Sequence, residues 1–122
     1  MNVYDTANNL ASEIKKSEEY VNYKMAKEAI GLNQNLKEQI KKFEEARYDA
    51  QITAMQTGKN DEEKIKKMQE LYVELIQDDV AKKYFDAETK FNILIADINK
   101  IIGDAIADVI KPEISFEMQQ KF

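Results

Sequence analysis

The sequence predicts an all-α protein: an elongated bundle of about five helices with a long C-terminal helix, assembled as a dimer. Three observations carry this reading. Among 122 residues there are only three glycines and one proline, so little interrupts a helix. Apolar residues recur at steps of three and four along nearly the whole chain. Short polar residues and one Gly-containing turn mark the breaks between these runs.

The elements follow in order. Val3, Ala7, Leu10 and Ile14 make one face of a first helix ending near Lys16, widened by Tyr4 and Ala11. Ser17 is a good N-cap, and Glu18 and Glu19 place negative charge where the helix dipole favours it. The second helix carries Tyr20, Tyr23, Ala26 and Ile30, with Gly31 free to turn left-handed and close it. Asn33 to Asn35 offer the next caps.

A third helix, to about Thr57, bears the stripe Leu36, Ile40, Phe43, Arg47, Ala50 and Ala54, with Tyr48, Ile52 and Met55 beside it. Gly58-Lys59-Asn60 reads as a turn, and Asn60 with Glu63 has capping-box spacing. Ile65, Met68, Leu71, Tyr72, Leu75 and Ile76 face one way on the fourth helix, until Asp78 and Asp79 end it and cap the next. The fifth runs from Asp79 towards Ile110, where Lys111-Pro112 breaks it.

Such a last helix spans roughly 48 Å at about 1.5 Å per residue. A compact globule of this chain length has a radius of gyration of only about 14 Å. The helix therefore overshoots the globule, or is shared with a second subunit. Residues 1–111 form a single helical domain on this reading, and 112–122 a C-terminal tail containing Ile114, Phe116, Met118 and Phe122.

The last helix is also the most apolar. Phe91, Ile95, Ile98, Ile102, Ala105 and Val109 step as a coiled-coil seam, flanked by Leu94, Ile101 and Ile106. Asp97, Lys100, Asp104 and Asp108 take the remaining face. The apolar arc is wider than a two-stranded seam needs. Two helices of the same chain can fill it, as can one from the chain and one from a partner; the length argument favours the second. Phe91, Leu94, Ile95, Ile98, Ile101, Ile102 and Val109 are the expected dimer interface. Asn92 and Asn99 lie beside the seam as register or rim residues. Gly103 either permits a close helix crossing or sits neutrally on the surface.

Composition removes several chemistries. There is no Cys and no His, which excludes thiolate ligation, Cys nucleophiles and the commonest general base and metal ligand. The net charge is −5, from 18 basic and 23 acidic side chains, with Arg47 the lone arginine. That balance is poor for binding a phosphate backbone.

The carboxylates Glu70, Glu74, Asp78, Asp97, Asp104 and Asp108 fall on polar helix faces and lack the histidines of di-metal bundles. The basic pairs Lys15-Lys16, Lys41-Lys42, Lys66-Lys67 and Lys82-Lys83 sit beside acids, as on solvated helices. Tyr20, Tyr23, Tyr48, Tyr72 and Tyr84 are core or interface residues by their spacing, with base stacking as the alternative. No catalytic, cofactor-binding or metal-binding residue is expected. The start, MNVYDTANNL, has neither a basic region nor an apolar core of a signal peptide, and no apolar run suffices for a membrane span. A cytoplasmic protein is the expectation.

The stretches NVYDTANNLASEIKKSEEY, NQNLKEQIKKFEEARYDAQ and FNILIADINKIIGDAI together resemble the YlbF/YmcA family of small helical bacterial proteins, closest to its YheA-like Firmicute branch. The resemblance covers residues 2–110. It implies an all-α fold with dimeric or higher assembly and a regulatory or adaptor role without catalysis. Some members join YaaT in a complex that works with ribonuclease Y in messenger RNA maturation and influences competence, biofilm formation and sporulation. Protein partners of an RNA-processing complex, or a role in developmental regulation, are therefore implied. The relatives' complex is associated with iron–sulfur clusters, a departure here, since a chain without Cys has no thiolate to offer one. Direct RNA binding through lysine pairs and tyrosines is the alternative.

Overall fold

A computed structural model describes residues 2–110 and places them in five helices. They are α1 Val3–Lys16, α2 Glu18–Gly31, α3 Gln34–Thr57, α4 Glu62–Leu75 and α5 Asp79–Ile106. The all-α class, the helix number and the long last helix are as the sequence predicts. The expected tail and the Lys111-Pro112 breaker lie outside the described residues.

Local chemistry sets most boundaries. Asn2 accepts from the Asp5 amide at 2.9 Å and starts α1. A single residue, Ser17, separates α1 from α2, with φ −65° and ψ 150°. Its hydroxyl donates to the Ile14 carbonyl at 2.6 Å and accepts from the Tyr20 amide at 3.2 Å, closing one helix and capping the next. Asn33 caps α3 through the Leu36 amide at 3.0 Å. Asp78 caps α5 through the Val80 and Ala81 amides at 2.8 and 3.2 Å. Gly58 closes α3 at φ 73°, a left-handed backbone in which a Cβ costs about 1–2 kcal/mol.

Three boundaries differ from the sequence reading. Asp61, not Asn60, caps α4, because its carboxylate accepts from both Glu63 and Lys64 amides. Its negative charge also suits the helix dipole better. Gly31 stays right-handed as the last residue of α2. The helix closes instead by short-range bonds from the Leu32 and Asn33 amides to Ala29 and Ile30, the tightening common at helix ends. Finally, α5 stops at Ile106 rather than Ile110: the Val109 and Ile110 amides both turn back to the Ile106 carbonyl, at 3.1 and 3.2 Å.

The chain divides into two compact units. One takes the chain up to Tyr23 and from Ala87 onward; the other is Lys24–Asp86. In the second, α3 and α4 pack together across the Gly58 turn. Leu36, Ile40, Phe43 and Ala50 of the α3 stripe are buried with Leu75, Ala81, Tyr84 and Phe85. Phe85 is the ring the others share. Its centroid lies 5.3 Å from Phe43, 5.2 Å from Tyr72 and 5.3 Å from Tyr84, distances at which tilted and edge-on aromatic pairs attract.

Arg47, the charged member of the α3 stripe, lays its guanidinium 5.3 Å from the Phe43 ring centre. A cation over a ring face accounts for a charge at a core-facing position. Lys64 bonds Thr53 at 2.7 Å and Asp49 at 3.2 Å; the ion pair is exposed, so it orients the hairpin more than it stabilises it. In the first unit, Tyr20 and Tyr23 of α2 lie 6.1 and 5.5 Å from Phe91 of α5.

Phe85→Ala removes the ring common to three aromatic pairs. It is expected to lower stability by about 3–5 kcal/mol, as buried Phe truncations do. Guanidinium unfolding followed by circular dichroism reads the loss.

Candidate interaction face

Burial is divided unevenly between the units. Among the described residues, every buried side chain except Ala87 belongs to Lys24–Asp86. The first unit nevertheless contains the most apolar stretch of the sequence. The seven residues expected to form an interface all lie in it. Phe91, Leu94, Ile95 and Ile98 are half-buried, while Ile101, Ile102 and Val109 are 69%, 48% and 80% exposed.

The structure does not use these seven alike. Phe91 already serves its own chain, as the ring on which Tyr20 and Tyr23 rest. Leu94, Ile95, Ile98, Ile101 and Ile102 share the helical arc of α5. Val109 falls in the turn beyond α5, so the seam ends before it. Ile93, 55% exposed, is not on this arc; steps of four and seven from it lead to Asp97 and Lys100, on the polar side of α5. Among the described residues no atom lies within 4 Å of where a Cβ on Gly103 would stand, so none of their helices crosses closely there.

The opposite side of α5 is polar. Lys100 donates to Asp104 at 2.9 Å, and that bond holds the ammonium above the ordinary lysine range. The Tyr23 hydroxyl donates to Glu88 at 3.3 Å, which fixes the ring that covers Phe91.

Sequence reasoning missed a second apolar surface. No residue of α1 is buried, although Val3, Leu10 and Ile14 form its stripe. Periodicity identified that stripe but not the lack of cover over it. The Tyr48, Ile52, Met55 stripe of α3 is likewise open, with Tyr48 66% exposed. Of the five tyrosines with helical spacing, Tyr20, Tyr23, Tyr72 and Tyr84 pack on other rings, and Tyr48 stands at the surface.

A cleft of about 520 Å³ opens where α2 meets α3. Its apolar floor is Ile30, Ile40 and Tyr84, and Lys27, Lys37 and Lys41 stand around it with Glu38 and Glu44. The Tyr84 hydroxyl donates to Glu44 at 3.4 Å. Among the described residues no group of His, Cys, Asp or Glu could hold a metal ion. None of their helices is long and apolar enough to cross a membrane.

These features define a class: a small all-helical protein whose distinguishing surface is apolar and uncovered. A family model described as control of competence regulator ComK, YlbF/YmcA, matches residues 3–107, and the chain belongs to that family. It is similar to a UPF0342 protein of Desulfitobacterium hafniense, 32% identical over 110 residues that cover 90% of this chain and 89% of the relative. A UPF0342 protein of Clostridium novyi is 32% identical over 108 residues, 88% of this chain and 95% of its own. One from Limosilactobacillus reuteri is 29% identical over 109 residues, 89% of each. No solved structure matches the chain.

The contact between Tyr23 and Phe91 separates ring packing from hydrogen bonding. Tyr23→Phe keeps the ring and is expected to cost less than about 1.5 kcal/mol. Phe91→Ala removes apolar area from beneath two rings and is expected to cost about 1–3 kcal/mol. Chemical denaturation of the two variants side by side checks the order.

Proposed function

We propose that the chain is a non-enzymatic, homo-oligomeric regulatory or adaptor subunit that works by presenting helix faces. One observation carries this reading: among the described residues, the unit holding the most apolar stretch of the sequence buries only Ala87. Monomers rarely leave a large contiguous apolar patch in water, and such patches mark interaction sites. The α5 arc from Phe91 to Ile102 is the proposed centre of a homodimer. Its isoleucines are stiff at χ1 and suit a well-defined packing.

Family membership supports the regulatory part, since the family is described by control of a competence regulator. A place beside protein partners in RNA processing or developmental regulation, in the cytoplasm, is the finer form of the proposal. An iron–sulfur role through thiolates is left out of it, because the chain has no Cys. Direct RNA binding is the competing reading. It has less support: the lysine pairs are interleaved with acids, and four of the five spaced tyrosines are occupied by ring contacts.

Affinity capture from the native bacterium, with and without nuclease, tests the adaptor role. Retention of a ribonuclease or of family siblings after nuclease treatment is the expected outcome. Partners lost on nuclease treatment point to RNA, and recovery of the bait alone removes the link to RNA processing. The assembly has its own test. Ile98→Asp puts a charge at the middle of the arc, and is expected to dissociate the dimer or unfold the chain. Light scattering and thermal melts read both; unchanged mass with unchanged stability shows the seam to be misassigned.

A further inference from the structure

We infer that α1 docks on the last helix of a second copy of this chain, so that each protomer both supplies an arm and receives one. The inference rests on the homodimer reading above and adds an element to it. Its origin is a mismatch in α1. The helix has an apolar stripe, Val3, Leu10 and Ile14, yet none of its residues is buried. Fourteen-residue helices are marginal in water, and those in proteins draw most of their stability from packing the apolar face. The Asn2 cap contributes only about 1 kcal/mol towards that deficit. Among the described residues nothing of the chain covers the stripe fully.

The chain itself has a matching surface. Ile101 and Ile102 of α5 are exposed, on an arc wider than one neighbouring helix fills. Charge favours the same pairing. From Phe91 to Asp108, Asp97, Asp104 and Asp108 face a single cation, Lys100, which is already bonded to Asp104. The last turn of α1 offers Lys15 and Lys16.

Area agrees as well. The exposed Val3, Leu10, Ile101 and Ile102 present on the order of 100 Å² each, about half of the roughly 800 Å² per partner of a standard interface, and the half-buried Ile14, Leu94, Ile95 and Ile98 add to it. Unless α1 docks, its own stripe stays wet after dimerisation through the α5 arc.

The absence of native cysteine makes the test clean. Leu10→Cys and Ile101→Cys variants, one of them tagged, are unfolded together, refolded and oxidised. A disulfide joining the two different chains is the expected product. In the double variant, a disulfide closed within one chain and no covalent dimer would overturn the inference. A dimer by light scattering that yields no disulfide between Leu10→Cys and Ile101→Cys also overturns it, and leaves the dimer reading intact. A monomer at all concentrations removes both. As a check free of cross-linking, Leu10→Glu is expected to weaken the dimer at least about tenfold, read as a rise in the dissociation constant. An unchanged constant counts against α1.

Discussion

Phe85 meets a ring from α3, a ring from α4 and its own neighbour Tyr84, all near 5 Å. The rest of the second unit depends on this meeting. Helices of 14 residues such as α4 do not persist alone in water, so each must bury one face against something. The aromatic cluster is where three helices do so at once. Arg47 over Phe43 belongs to the same arrangement, and Leu75, the last residue of α4, is buried in the same unit. The interior is free of polar strain: among the described residues no buried polar side-chain atom lacks a hydrogen-bond partner.

The first unit obeys the same physics with fewer internal means. Its rings, Tyr20, Tyr23 and Phe91, hold α2 to α5, but among the described residues the isoleucines further along α5 and the stripe of α1 find no equivalent cover. A chain that buries one set of apolar residues so fully and another so little has divided its labour. The first set is what holds the second unit together; the second set is the surface on which the proposed assembly rests.

Much of this was legible in the sequence, for identifiable reasons. Ser17, Asn33 and Asp78 announce helix starts because a short polar side chain reaches its own backbone amides whatever the tertiary setting. The α3 stripe announces its buried face because Leu36, Ile40 and Phe43 keep helical step. Asn60 and Asp61 could not be separated by composition, since both cap well and backbone geometry chooses between them. The end of α5 was placed too late because no breaker precedes Lys111. What lay beyond reach is pairing. Periodicity says that Phe43 and Phe85 each face inward, not that they face each other, and it gives the same signal for the open stripes of α1 and Tyr48 as for the closed stripe of α3.

The joint at Ser17 has a consequence of its own. Its φ of −65° is already that of a helix, so only ψ departs from the helical value, by roughly 170°. No glycine supplies the bend; a hydroxyl bonded on both sides holds it. The heading of α1 is therefore stored in one torsion and guarded by one side chain that belongs to neither helix. A change at that residue would re-aim the arm while leaving the aromatic core of Lys24–Asp86 as it is. Evolution can thus redirect that apolar stripe through a residue that is not part of it.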